Sequence, residues 1–195
     1  AIRMPAFWGL ASIFFITGNG TYATLFQSVS YLIDRGFPAI QASSYLGLMG
    51  ALIPPGMICC GFLLTRFNII VIAASTHILT ALGIVSLWLI DGPSDLIFVI
   101  AFIAFFGLTA GTRAPIAGSL ASRLFSGRNF GVIFGSISMG GGMGVASGSF
   151  MSGLIYDMTN SYGAAFTYAG ICMLVGGLPP ILIPSLRRSG KRQQL

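Results

Sequence analysis

The sequence predicts an all-α integral membrane protein, a bundle of six transmembrane helices. Only fourteen of its 195 residues are charged, or 7%, whereas 55% are hydrophobic. A soluble domain carries about 25% charged residues. So few ionic groups cannot cover a water-facing surface, and this excludes a soluble globular protein, a disordered chain and a coiled coil. The mean hydropathy of +0.89 supports the same class.

Six apolar segments reach the length of about 20 residues with which a helix crosses the hydrocarbon core of a bilayer. They cover residues 6–33, 42–64, 69–90, 96–118, 130–156 and 164–186. Runs such as 69–74 and 96–103 do not alternate between apolar and polar residues, as barrel strands do. Because every backbone group in lipid needs an internal partner, we expect helices. The first segment is too long for a signal peptide.

The positions of the basic residues predict how the bundle is oriented. Eight of the ten lie in loops or tails on one side, whereas the other side has Arg35 and all four acids. Positively charged loops stay in the cytoplasm. Both termini should therefore be cytoplasmic, with residues 187–195 as a basic tail, and the bilayer is expected to be the plasma membrane. The net charge of +6 is explained by the basic residues on the predicted cytoplasmic side, so no nucleic acid partner is expected.

Small residues recur every four positions in the fifth segment. The series that suggests a helix-packing surface comprises Gly140, Gly144 and Gly148, with Gly153 further along the same helix. Small residues at this spacing let two backbones approach closely in lipid. One interpretation is a static helix–helix interface. The other is an interface along which the two helices slide or rock during transport. The Gly140-Gly141-Gly142 triplet favours the second, because glycine weakens helix interiors.

Arg113 is the only charged residue inside a predicted span. Counted from Leu96 at about 1.5 Å per residue, it lies some 26 Å along the helix, near the expected cytoplasmic boundary. It could reach the headgroups as a snorkelling side chain. Alternatively, it could form an anion site or a gating contact in a water-filled cavity.

The first span carries an unusual set of polar residues. We single out Asn19, Tyr22 and Gln27 as candidate substrate-binding residues, together with Arg113. An unpaired amide against lipid costs several kcal/mol, so the two amides should face protein or a cavity. Hydrogen bonding between helices and contact with a substrate both explain them. His77 has no carboxylate in its span and is better explained as a structural histidine than as a proton relay.

The sequence has no pattern that indicates catalysis, a cofactor or a metal site. Cys59, Cys60 and Cys172 lie in apolar stretches without metal-ligand spacing. No nucleophile-and-base set or paired carboxylates could converge within the membrane. We therefore expect that the protein is not an enzyme.

The loop between the second and third segments resembles a signature of the major facilitator superfamily. Gly61 and Arg66 match a glycine and an arginine of that motif, whereas Thr65 and Asn68 stand in place of its acid and second glycine. Nearly the whole chain is similar to the C-terminal half of such a transporter. Residues 31–43, 123–135 and 153–162 further resemble the monocarboxylate and oxalate/formate group.

The resemblance implies half of a twelve-helix fold, itself a 3+3 inverted repeat, that works with an N-terminal half by alternating access. It implies that spans 1 and 4 line the cavity, that 2 and 5 meet the other half, and that 3 and 6 lie outside. Gly61 and Arg66 would belong to a gating loop. Protons or a counter-substrate would be coupled to transport.

The leading hypothesis is secondary active transport of a small organic solute, an organic anion such as a carboxylate. One alternative is a membrane protein that does not transport, with a structural or interaction role, or a truncated transporter relic. The other is an exporter of drugs or metabolites. Residues 144–153 resemble the glycine motif of antiporters, with Ser149 in place of its proline.

Overall fold

The computed structural model describes residues 4–125, 127 and 129–178. In this part of the chain, seven α-helices are joined by short turns. They are α1 (Pro5–Asp34), α2 (Ala39–Arg66), α3 (Ile69–Trp88), α4 (Leu96–Ala110), α5 (Arg113–Leu124), α6 (Phe130–Thr159) and α7 (Tyr162–Gly176). The all-helical prediction agrees with this architecture.

Four stretches among the described residues are long and apolar enough to cross a membrane: α2, α3, α4 with α5, and α6. The first predicted span corresponds to α1. Its 30 residues are enough to cross a membrane, but its polar side chains lower its mean hydropathy, and α1 is not one of these four stretches. The last predicted span, 164–186, begins in α7, which has 15 residues. The rest of that span and the tail 187–195 lie outside the described residues.

The fourth predicted span, 96–118, is not one continuous helix. Helix α4 ends at Ala110, and α5 begins at Arg113 and continues to Leu124. Pro115 has no N–H and cannot donate a hydrogen bond to the carbonyl of Gly111, so the helical ladder is interrupted there. The stretch is therefore longer than predicted and broken near its middle.

The helices pack in two connected groups. Helix α1 packs against α6 and α7, helix α4 packs against α2 and α3, and a contact between α3 and α7 joins the groups. In α1, 14 of 30 residues are buried. Only five of 28 are buried in α2 and four of 30 in α6. These two helices consequently present broad apolar faces that lipid or another protein must cover.

The glycine series of α6 faces α1 of the same chain. A Cβ on Gly144 would lie 2.2 Å from a carbonyl oxygen of α1, and one on Gly140 would lie 3.0 Å from another. The two oxygens belong to Phe15 and Ala11. Gly153, by contrast, has nothing within 4 Å of its Cβ position. The close approach of the backbones therefore lies inside the chain and does not include Gly153.

The interior consists of two apolar clusters with polar side chains between them. One cluster includes Leu10, Leu64, Ile69, Leu120 and Phe125, near the end of α2 and the start of α3. The other lies toward the opposite helix ends and includes Tyr31, Phe37, Ile90, Phe102 and Phe166. Between them lies a group that we call the polar layer, consisting of the buried Thr17, Asn19, His77, Thr80 and Thr109 and the half-buried Arg113.

Polar contacts at the C-terminal end of α1 hold it to the neighbouring helices. Arg35 forms an ion pair with Asp91 in the turn between α3 and α4. The hydroxyl of Tyr162 donates to Asp34 Oδ2 at 2.6 Å. The hydroxyl of Tyr31 is 2.9 and 2.8 Å from the carbonyl oxygens of Trp88 and Ile90. These contacts connect α1 to both groups of helices.

Candidate functional site in the polar layer

The guanidinium of Arg113 points into the bundle. Its Nη1 donates to the carbonyl oxygen of Ala110 at 2.9 Å. Its Nη2 lies 3.1 Å from Thr80 Oγ1 and 3.2 Å from Met173 Sδ. The apolar stretch that contains Arg113 continues to Leu124, so this residue lies near the middle of the stretch. The side chain contacts α3 and α7, which favours the interpretation of an interior contact over that of a snorkelling side chain.

No described carboxylate contacts Arg113. Asp91 forms an ion pair with Arg35 instead, at the end of α1. Asp34, Asp95 and Asp157 also lie at helix ends or turns, outside the polar layer. Among the described residues, the positive charge of Arg113 is thus met only by backbone carbonyl oxygens, a hydroxyl and a thioether sulfur, which makes the middle of the bundle electropositive.

His77 lies beside this charge and is 5% exposed. Its Nδ1 is 2.6 Å from the carbonyl oxygen of Ala73. Because a carbonyl oxygen only accepts, Nδ1 carries a proton. Among the described residues, the buried Nε2 has no hydrogen-bond partner, and the same holds for the buried Nε of Arg113.

Both unpartnered nitrogens belong to side chains that line one cavity between α1, α3 and α5. The cavity has room for about one water molecule. Its lining is otherwise mostly apolar and comprises Leu10, Ile13, Phe14, Thr17, Ala73, Ile116, Ala117 and Leu120. The third helix thus contributes to an interior site, although the resemblance places the third span outside.

Two threonines that the sequence analysis did not single out complete the surroundings of Arg113. Thr80 and Thr109 are 2.8 Å apart between their Oγ1 atoms, and this contact joins α3 to α4. Both threonines could have been identified in the sequence from their helical spacing. Thr109 precedes Arg113 by four residues and Thr80 follows His77 by three, so each pair shares one helix face.

Asn19 uses both of its amide atoms within the chain. Its Nδ2 donates to Ser147 Oγ at 2.9 Å, and its Oδ1 accepts from the hydroxyl of Tyr168 at 2.8 Å. The side chain is 4% exposed. Asn19 therefore connects α1 to α6 and α7, as the interpretation of hydrogen bonding between helices expects.

Tyr22 and Gln27 do not line the cavity beside Arg113. Both are half-buried, and the Tyr22 ring lies 6.2 Å from that of Phe26. Gln27 is about 15 Å along the helix from Thr17, the last α1 residue of the cavity. The structure therefore does not bring the four predicted substrate-binding residues together at one point.

The residues of the predicted gating loop lie at the end of α2. Gly61 is exposed and has open space around its Cβ position. Arg66 is exposed too, and its guanidinium lies 5.4 Å from the centre of the Phe62 ring. Asn68 Oδ1 accepts from the N–H of Ile70 at 2.9 Å and caps α3. This cap gives Asn68 a structural role at the position where the motif has glycine.

Metal coordination is not indicated in the described part of the chain. It contains no group of three or more His, Cys, Asp or Glu side chains that could hold a metal ion.

Comparisons with known proteins show the fold. No protein-family profile and no curated protein matches the chain. A solved structure of a POT family transporter in complex with a thioalcohol-conjugated peptide matches with a TM-score of 0.74 and 20% sequence identity. The match covers 95% of this chain and 38% of that one, so the chain spans well under half of the transporter's length. Over almost all of its length, this chain therefore has a helical fold that occurs within a membrane transporter.

Proposed function

We propose that this chain is part of a secondary active transporter that moves a small organic anion, such as a carboxylate, by alternating access. The observation that carries the proposal is the Arg113 guanidinium, which lies in the polar layer without a contacting carboxylate among the described residues. A buried, uncompensated cation is costly, and it raises the local concentration of anions. An ionisable group at this depth is a functional feature by default.

The polar side of α1 would supply neutral contacts along the path of the solute, because Tyr22 and Gln27 lie further along the helix than the residues beside Arg113. Tyr22 and Gln27 are half-buried, and neither side chain forms a hydrogen bond with another described residue. Their hydroxyl and amide groups are therefore available to a ligand. Asn19 would not contact the solute directly. Its hydrogen bonds to Ser147 and Tyr168 would instead fix the position of α1 against α6 and α7.

The apolar faces of α2 and α6 support a second six-helix half as the partner, the N-terminal half of the same transporter. These two helices bury the fewest residues of the long helices, five and four respectively. A transport site between two such halves opens to either side as the halves rock. Gly140, Gly144 and Gly148 would let α6 shift along α1, and Gly61 and Arg66 would belong to the loop that limits the motion.

Uptake into proteoliposomes tests the proposal. The full-length protein that carries this sequence is reconstituted and offered labelled carboxylates, dipeptides and neutral sugars under a proton gradient or with an internal counter-substrate. We expect uptake of at least one carboxylate, and about a tenfold or greater loss in Arg113→Gln, because removing a charged contact costs about 1.5–3 kcal/mol. Arg35→Gln is the control for loss of an arginine charge away from the polar layer, and it breaks only the ion pair with Asp91 at a helix end.

Three results would overturn the proposal. Carboxylate uptake that is unchanged in Arg113→Gln would exclude the assigned role of this residue. Absence of uptake for every solute in the panel would favour the alternative of a membrane protein that does not transport. Uptake of dipeptides alone would indicate a peptide substrate, like the ligand in the solved transporter structure.

A further inference from the structure

We propose that Thr80 of α3 is a positioning residue for the solute, because its hydroxyl sets the direction of the Arg113 guanidinium. The inference rests on the proposed function, in which Arg113 holds the anion. Thr80 Oγ1 lies 3.1 Å from Arg113 Nη2, and it is the one side-chain oxygen among the hydrogen-bond partners of this guanidinium in the described part of the chain. Thr80 itself is fully buried, so it acts through Arg113 and not by contact with the solute.

Arg113 depends on a partner from another helix because of its place in the chain. It is the first residue of α5, directly after the interruption that follows α4. Its Nη1 donates to the carbonyl oxygen of Ala110, the last residue of α4. This bond fixes one edge of the guanidinium to its own stretch of chain. The direction of the other edge is set by α3 and α7, which supply Thr80 and Met173.

The hydroxyl is the stronger of the two acceptors at Nη2. Met173 Sδ lies at a similar distance, 3.2 Å, but a thioether sulfur is a weak acceptor on a flexible side chain. The hydroxyl of Thr80 has one hydrogen and two lone pairs. The carbonyl oxygen of Thr76 and Thr109 Oγ1 are both 2.8 Å away. Whichever of them receives the hydrogen, a lone pair remains for the guanidinium.

The position of Thr80 is fixed by a close contact between α3 and α4. Three residues further along α3, a Cβ on Gly83 would lie 3.0 Å from the backbone nitrogen of Phe106. Thr109 follows Phe106 by three residues and lies on the same face of α4. Backbones this close leave the pair of threonines little freedom to move. The oxygen offered to Arg113 is therefore held in place by two helices.

The concentration dependence of uptake tests the inference. The full-length protein that carries this sequence is reconstituted, and initial uptake of labelled acetate, lactate and oxalate is measured for Thr80→Val and Thr80→Ser. Valine keeps the branched shape and removes the hydroxyl, whereas serine keeps the hydroxyl. We expect the KM of Thr80→Val to rise about tenfold at an unchanged maximal rate, the pattern of lost binding. Serine should restore the KM, and Met173→Leu should raise it less than valine does.

Thr24→Val is the matched control. Thr24 is as fully buried as Thr80, but its hydroxyl donates to the carbonyl oxygen of Gly20 in its own helix at 3.0 Å. Both valine variants should lose similar stability in an unfolding titration, whereas only Thr80→Val should change the KM. Thr80→Ala removes the hydroxyl without adding a methyl group, and it should raise the KM as well.

The outcomes separate this inference from the function on which it rests. An unchanged KM in Thr80→Val and Thr80→Ala would overturn it, and so would a serine variant as weak as the valine variant. If Arg113→Gln loses uptake while Thr80→Val behaves like Thr24→Val, only the role of Thr80 is wrong. If the wild type takes up none of the three probes, or if Arg113→Gln is harmless, the proposed function is wrong and this inference with it.

Discussion

Gly148 of α6 lies directly against the backbone of Asn19 of α1. A Cβ placed on Gly148 would be 2.1 Å from the carbonyl oxygen of Asn19, a distance that no real Cβ contact tolerates. We therefore expect Gly148→Ala to push α6 away from α1. The free energy of unfolding in mixed micelles should fall by about 1–3 kcal/mol, the usual cost of overpacking.

Gly142→Ala is the control for this prediction. It lies on the same helix, with nothing within 4 Å of its Cβ position. Alanine is the better helix former, so the variant should be as stable as the wild type or more stable, by up to about 1 kcal/mol. Equal effects at the two positions would contradict the close contact between α1 and α6.

A second close contact joins α2 to α4. A Cβ on Gly56 would lie 2.0 Å from the carbonyl oxygen of Leu108. Gly56→Ala should lower the free energy of unfolding by about 1–3 kcal/mol, because the backbones must separate. Gly50→Ala, six residues earlier and with nothing within 4 Å of its Cβ position, is the matched control and should not destabilise the protein. The measurement is the same unfolding titration.

The amide of Asn19 should be energetically coupled to Ser147. A double-mutant cycle with Asn19→Ala and Ser147→Ala isolates the bond of 2.9 Å between them. We expect a coupling energy of about 0.5–1.7 kcal/mol, the range of hydrogen bonds between membrane helices. A cycle between Asn19 and Thr24, whose hydroxyl bonds to Gly20 of its own helix, should give a value near zero.

Tyr31 is expected to stabilise the end of α1 through its hydroxyl. The hydroxyl contacts two backbone carbonyl oxygens at the C-terminal end of α3 and just beyond it, at 2.9 and 2.8 Å. Tyr31→Phe retains the ring and removes these bonds, so stability should fall by about 1–2 kcal/mol. Tyr45→Phe is the control, because its ring packs on Phe37 while its hydroxyl has no bond to a described residue. Thermal unfolding monitored by circular dichroism measures both.

The class of fold was predictable because it depends on composition and on the length of apolar runs. These properties do not require knowledge of which helices pack together. The positions of α2, α3 and α6 follow from runs that lack charge and have polar turns at both ends. The interruption before Arg113 was missed, because hydropathy averages over a window and does not register one absent N–H at Pro115.

The site was less predictable than the fold, because it depends on how helices rotate about their axes. The polar residues of α1 were identified, but their spacing does not say which neighbour each one meets. Asn19 turns toward α6 and α7, whereas Thr17, half a turn away, lines the cavity with Arg113. His77 shows the same difficulty. It is of interest because it lines the same cavity as Arg113 of α5, and the two residues are far apart in the sequence.

The separation of the two apolar clusters by the polar layer has a consequence for how the bundle opens. Helices α1, α2 and α3 each contribute side chains to both clusters and pass through or beside the polar layer. A tilt of any one of these helices therefore displaces packing at both ends of the bundle together, with the polar layer as the level about which the two ends move.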